Sequence, residues 1–365
     1  LAVTVTLVFT LASLLIPESL IRIFTNETEV VRQGTKYLRI VAFSYTVTGM
    51  TQVYLYIMRS VERIQVATFV YLSSLICNII LNAIFIFGMF GCPVIGIQGA
   101  ALATLLARIL ELILVIGYAK LFNREILFRM TYLIHIDRRL LKDFLMYAIP
   151  VILNEVLWGA ANSASTAILG HMGSAAVAAN SVAQVTKEMS MVVGFGISNA
   201  AAIYLGKILG EKKYKHARVY ADRFVKLSIL LGICSAVIIL LSSRMILSVL
   251  NMSPLTKDYL RCMMFVMAYY AVAQTFDETL IVGIFRSGGD TRFGLIVDTV
   301  SMWGFSLLLG ATAAIIFHFS VPVVYVLLMS DELIKIPIIW KRYRSFCWMK
   351  NITRERGSEE NTSMP

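Results

Sequence analysis

The feature that most constrains this chain is the confinement of its charges. Long stretches nearly free of Asp, Glu, Lys and Arg alternate with short, mostly basic segments. Each apolar stretch runs for roughly 20 residues, the length that carries an α-helix across the hydrocarbon core of a bilayer. Only 15% of the 365 residues are charged and 58% are hydrophobic, against about 25% charged in a soluble domain. A helix satisfies its own backbone groups in lipid, so the pattern predicts an all-α polytopic membrane protein. Nothing in it points to an enzyme: no nucleotide-binding loop occurs. RSGGDTR (residues 286–292) lacks the strand and lysine of a phosphate loop. It reads as a tight turn in which Asp290 pairs with Arg286 or Arg292.

Ten apolar runs are expected as spans. They cover about residues 1–23, 39–57, 66–87, 97–121, 150–173, 183–203, 225–247, 263–285, 295–316 and 321–340. The longest internal polar stretch, FNREILFRMTYLIHIDRRLLKDF, is basic and partly amphipathic. It reads as an interfacial linker. The expected organisation is an N-terminal bundle of four helices (1–121), the linker (122–143), a C-terminal six-helix bundle (144–342) and a polar tail (343–365). The net charge of +11 is explained by topogenesis rather than by nucleic acid. Lys and Arg concentrate in alternate connections: Arg59 and Arg63, the linker, Lys207 to Arg218, Arg286 and Arg292, and Lys341 to Arg344. The positive-inside rule puts that side, and the C-terminus, in the cytoplasm of a cell inner (plasma) membrane protein. Headgroup lipid is then an expected contact of the linker. The odd number of cysteines, five, with no CxxC, and four scattered histidines (His135, His171, His216, His318) argue against a disulfide framework or a metal site. Asn26 and Asn251 match a glycosylation pattern, read as chance. The chain begins without Met or a charged leader and reads as starting within a longer protein.

The two halves carry matching signals in the same order. Tyr37-Leu38-Arg39 recurs as Tyr259-Leu260-Arg261, 222 residues on, and Met58-Arg59-Ser60 recurs as Phe285-Arg286-Ser287, 227 residues on. Each pair brackets one apolar run. The duplication predicts two parallel bundles related by an axis along the membrane normal, an arrangement suited to alternating access.

Four segments then carry a resemblance. They are NEVLWGAANSASTAILGHMGSAAVAANSVA (154–183), GFGISNAAAIYLGKILGEKK (194–213), GIFRSGGDTRFG (283–294) and GIQGAALAT (96–104). Together they resemble the bacterial branch of the multidrug and toxic compound extrusion (MATE) transporters. The resemblance implies helices three to twelve of a twelve-helix fold made of two six-helix bundles, lacking the first two helices. It also implies that the family's first-helix aspartate has no counterpart in this chain.

The candidate site residues are polar groups inside apolar runs, where a carboxylate is costly unless it faces a bundle interior or a water-filled cavity. Glu155, in the run PVILNEVLWGAANSASTAILGHMG, is the foremost: a proton or Na⁺ relay and an anionic contact for a cation. The resemblance also implies an acidic residue there. Asn154, Trp158, Asn162 and Ser165 share one helical face. Trp158 beside a carboxylate suits a lipophilic cation through cation–π attraction, although Asn and Ser also glue helices together. Asp277 and Glu278 lie inside the eighth run. Adjacent helix residues diverge, so at most one is expected to face the cleft, with Asp277 favoured. Asp298 and Trp303 are weaker candidates. Asn78 and Asn82 are one turn apart in the third run. The resemblance implies that they and Thr104 are remnants of a cation site, with Asn82 where the family carries an aspartate.

These readings converge on a secondary active antiporter that exports organic cations or drugs in exchange for H⁺ or Na⁺. No cofactor beyond the coupling ion is expected, no nucleic acid partner, and no feature demands a dimer. The alternatives are an exporter or flippase of a lipid-linked or glycan substrate, favoured by a basic cleft, and a truncated membrane remnant that does not transport.

Overall fold

In the computed structural model, residues 2–22, 28–91, 93–121 and 138–350 are described. The Asn26 acceptor and most of the expected linker and tail lie outside them. The chain forms two compact units, Leu1–His135 and Ile136–Pro365.

In the first unit the elements are α1 (Ala2–Leu15), α2 (Pro17–Arg22), α3 (Thr28–Ser60), α4 (Ile64–Phe87), a 3-10 turn (Met89–Gly91) and α5 (Ile97–Leu121). Helix α5 packs on α3 and α4, and α1 packs on α3. Small side chains make these approaches possible: Ala42, Ala101, Ala103 and Ala107 are buried. At Gly99 a β-carbon would come within 2.8 Å of the Phe85 carbonyl oxygen, so α4 and α5 meet there backbone to backbone. The Thr10 and Thr46 hydroxyls join α1 to α3 at 2.9 Å.

The second unit comprises α6 (Arg138–His171), α7 (Ser174–Gly210), α8 (Tyr214–Val249), α9 (Pro254–Glu278), α10 (Thr291–Thr299), α11 (Val321–Leu328) and α12 (Asp331–Arg344). Helix α9 runs on into π turns over Thr279–Phe285. Helix α10 is likewise extended, to Ile316, with π turns at Val300–Ser306 and Thr312–Ile316. Helix α9 is the centre of this unit and packs against α7, α8, α11 and α12. Its start is fixed by Ser253, which accepts a hydrogen bond from the Thr256 N–H at 3.2 Å, with Pro254 in the first turn. Enclosed on so many sides, α9 buries Met263, Met264, Met267, Tyr270 and Ala271. The outer faces are apolar instead: Leu230, Leu241 and Met245 of α8 are exposed, as lipid-facing side chains must be.

The expectation of about ten membrane spans is corrected. Among the described residues six helices are long and apolar enough to cross a membrane: Ile64–Phe87, Ile97–Leu121, Leu141–His171, Ser174–Gly210, Tyr214–Val249 and Thr291–Ile316. The other four expected spans depart for distinct reasons. The first run is cut at 14 residues, ahead of Pro17. The second, in α3, is diluted by tyrosines, threonines and Gln52. The eighth is divided: its α-helical part ends at Asp277 and Glu278, and π turns take Thr279–Phe285. The tenth is broken at Met329–Ser330 into α11, of 8 residues, and α12, of 14.

Candidate functional site

The polar residues of the second unit gather around two cavities. The smaller, of about 100 Å³, is lined by Asn154, Glu155 and Trp158 of α6 and Phe195 of α7. Its other walls are Gln274, Asp277 and Glu278 of α9, Arg286 beyond them, Asp298 of α10, and Glu332 and Lys335 of α12. Four elements thus bring their charges to one place because α9, buried on nearly all sides, has nowhere else to put its C-terminal acids. Both Asp277 and Glu278 line this cavity. Their directions differ by about 100° on a helix. The cavity spans that arc, and the wider π turns begin at the next residue, Thr279.

Asp298 is the hub. It accepts a hydrogen bond from the Asn154 amide on Oδ2 at 2.8 Å and one from Lys335 Nζ on Oδ1 at 3.0 Å. Lys335 is 3% exposed. Its ammonium also forms an ion pair with Glu332 Oε2 at 3.0 Å and stands 3.8 Å from Asp331 Oδ2. Asp277 is 1% exposed, and no hydrogen-bond donor reaches either of its carboxyl oxygens. The Gln274 Oε1 and Asn154 Oδ1 atoms are likewise buried and unpartnered. Glu155 sits at the rim, its side chain 57% exposed, and accepts a hydrogen bond from Arg286 Nη2 at 2.8 Å. This corrects the expected turn pairing. Asp290 is held by Arg342, through Nε at 2.8 Å and Nη2 at 3.1 Å, which leaves Arg286 for Glu155.

The second cavity, of about 240 Å³, shares Trp158 with the first. It continues along the α6 face through Asn162, Ser165 and Thr166, and is closed by Asn180, Gln184, Lys187 and Glu188 of α7 and by Met329. The Asn162 amide is turned back to the Trp158 carbonyl at 3.0 Å. Lys187 is buried with its ammonium 5.1 Å from the centre of the Tyr270 ring. The Tyr270 hydroxyl donates to Glu332 Oε1 at 3.4 Å. One tyrosine therefore links the lysine of the larger cavity to a glutamate of the smaller. Trp303 donates from Nε1 to the Leu157 carbonyl at 3.3 Å.

In the first unit the Asn82 amide donates to Asn78 Oδ1 at 2.9 Å. Asn82 Oδ1 is buried without a partner. The Thr104 hydroxyl bonds the Ala100 carbonyl of its own helix at 3.0 Å. Among the described residues of this unit, Glu111 is the buried carboxylate, ion-paired with Arg108 one turn earlier.

Sequence reasoning passed over Glu111, Lys187, Glu188, Asp331, Glu332 and Lys335. The signal was present for all six. Each lies within or at the edge of an apolar run, where a charge marks a bundle interior. Asp331, Glu332 and Lys335 also have the three- and four-residue spacing of paired charges on a helix.

Comparison with known proteins agrees with this architecture. The MatE family model matches residues 1–84 and 150–312. The chain is 25% identical over 321 residues to the uncharacterized transporter YisQ of Bacillus subtilis, covering 86% of this chain and 69% of that one. It is 25% identical over 244 residues to the probable multidrug resistance protein NorM of Haemophilus ducreyi, covering 66% of this chain and 52% of that one. The chain thus spans about half to two thirds of the length of the curated relatives it matches. Among solved structures, it superposes on the Vibrio cholerae MATE transporter VcmN with a TM-score of 0.83 at 16% identity, over 96% of this chain and 78% of that one. It superposes on a MOP superfamily transporter from Pyrococcus furiosus with a TM-score of 0.82 at 18% identity, over 97% of this chain and 78% of that one. The binding pocket of that transporter is described as having reverse polarity that suggests a different function. A family match over well more than half the residues, on a fold shared with solved MATE transporters, means that this multi-pass membrane chain belongs to the MatE family.

Proposed function

We propose that the chain forms a secondary active antiporter of organic cations or drugs, coupled to H⁺ or Na⁺, with the acid-lined cavities of its second unit as the binding region. The observation that carries this reading is the convergence of Glu155, Asp277, Glu278, Asp298 and Glu332 on one cavity beside Trp158. In lipid, such a group of carboxyls is stable only with protons or cations to neutralise it. An antiporter exchanges those. Trp158, common to both cavities, offers a π face to an organic cation next to the carboxylates. Glu155 is the acid most open to an arriving cation, and Arg286 is the partner it must release. Residues 144–342 are the transport bundle in this reading and residues 1–121 its partial counterpart. Asn78, Asn82 and Thr104 form a weaker, uncharged polar patch there. The basic connections and the C-terminus face the cytoplasm.

The test is ethidium efflux by everted vesicles carrying the full chain, driven by an imposed proton or Na⁺ gradient. Replacing Glu155 by Gln lowers coupled efflux by about tenfold or more, a loss of roughly 1.4 kcal/mol, at unchanged protein level. Gradient-driven efflux of wild-type rate in that variant refutes the assignment. A second reading, export of an anionic lipid-linked or glycan substrate, draws on Lys187, Arg286 and Lys335, the basic groups lining the same cavities. It is favoured if ethidium is not moved while an anionic amphiphile is.

A further inference from the structure

The charges of the smaller cavity do not balance locally. Around the Lys335 ammonium stand four carboxyl side chains: Asp298 and Glu332 at 3.0 Å, Asp331 at 3.8 Å, and Asp277 on the facing helix. All four are buried, and Asp277 presents two oxygens that no donor reaches. Oxygens so arranged are the ligand type that hard metal cations take. Yet among the described residues no three His, Cys, Asp or Glu side chains are grouped to hold a metal ion. The geometry explains the contrast. The point on which Asp298 and Glu332 converge is filled by the ammonium of Lys335, delivered from within α12 on a stem that is itself buried. An ammonium offers three donors and no acceptor, so it takes up oxygen lone pairs as a desolvated metal cation does.

We propose that Lys335 is a tethered cation that occupies the position of a free monovalent cation in this carboxylate site, and thereby excludes Na⁺ from it. For the antiport reading, on which this consequence rests, exchange at Asp277 and its neighbours then runs on protons and on the organic substrate, not on a metal ion. Lys335 is a specificity-determining residue in that scheme, acting by filling space and charge at once.

The experiment reads cation binding without transport. All four tryptophans, Trp158, Trp303, Trp340 and Trp348, lie in the second unit, so the unfolding midpoint of the detergent-purified full chain is followed by tryptophan fluorescence. It is measured in choline chloride, sodium chloride and ethylammonium chloride at equal ionic strength. Wild-type protein has the same midpoint in all three. Lys335→Ala unfolds lower in choline and regains about 3 °C or more in ethylammonium or Na⁺, as expected for a ligand that binds only the folded state. Lys335→Met, whose side chain fills the vacancy without charge, is not rescued by either. A saturable Na⁺ shift in the wild type overturns the proposal. So does a Lys335→Ala protein indifferent to all three salts, or a Lys335→Met protein as stable as wild type. Should neither variant accumulate, the wild-type arm decides: a flat response supports the tethered cation and a Na⁺ shift refutes it. Gradient-driven ethidium efflux of wild-type rate in Glu155→Gln would sink the antiport reading and leave this result standing, and the reverse also holds.

Discussion

Removing the Asp298 carboxylate is the most informative single perturbation of the second unit. Asp298→Ala takes away two contacts at once: the Asn154 amide at 2.8 Å and the Lys335 ammonium at 3.0 Å. A buried amide donor left without a partner costs about 1–3 kcal/mol. Breaking a buried ion pair outright costs about 3–5 kcal/mol, but Lys335 keeps Glu332 at 3.0 Å, so we assign about 1–2 kcal/mol to this part. The expected destabilisation is therefore about 2–5 kcal/mol, or roughly 4–20 °C at 2–4 °C per kcal/mol for a unit of this size. Asp298→Asn separates the two parts. An asparagine oxygen still accepts from Asn154, so only the loss of charge remains and the midpoint falls by less. The order wild type, Asn, Ala should appear in thermal unfolding followed by tryptophan fluorescence. Adding Asn154→Ala to the Asp298→Ala background should cost less than adding it to wild type, since their shared bond is already gone. An Asp298→Ala midpoint within about 1 °C of wild type would refute the argument that this carboxylate organises the cavity.

Other expectations are independent of that hub. Arg342→Lys keeps a charge near Asp290 but loses the two-pronged contact and the stacking of the guanidinium 4.9 Å from the Phe293 ring centre. It should destabilise the second unit by about 1–2 kcal/mol in the same unfolding assay. Ser253→Ala removes the hydrogen bond that caps α9 and should cost about 1 kcal/mol, whereas Ser253→Asp should restore it. Gly283→Leu drives a side chain into the carbonyl of Ser198, which lies 3.0 Å from where even a β-carbon would stand. It should cost about 1–3 kcal/mol and lower the yield of folded protein.

The sequence made the class and the seat of the site legible because both depend on where charges are absent. Apolar runs define lipid-facing helices, and an acid inside one is costly unless it faces a bundle interior or a cavity, so Glu155, Asp277 and Glu278 could be singled out from the chain alone; all three line the smaller cavity. Partners were not legible, because a pairing such as Arg286 with Glu155 joins positions 131 residues apart. The local alternative, Asp290 with a neighbouring arginine, lost to Arg342 from α12. The span count failed for a related reason. A run with charges in its middle, such as 321–340, reads as one helix by average hydropathy, yet the structure ends α11 at Leu328 and starts α12 at Asp331. Averaging hid the stretch Asp331 to Lys335, which brings Glu332 and Lys335 to the cavity.

That concealment bears on how such chains are read. An excess of acids in the membrane suggests a cation site, and counting Glu155, Asp277, Glu278 and Asp298 alone leads there directly. The structure adds Lys187, Arg286 and Lys335 to the same two cavities. Each has a negative or π partner: Tyr270 for Lys187, Glu155 for Arg286, Asp298 and Glu332 for Lys335. A paired base does not make a cavity basic; it sets which acids remain open. Asn154 and Lys335 occupy both oxygens of Asp298, Arg286 takes one oxygen of Glu155 at the exposed rim, and Asp277 keeps two unmet oxygens in the interior. Of the five acids that line the cavity, Glu155, at the rim, and Asp277 and Glu278, within, are then the ones not held by Lys335.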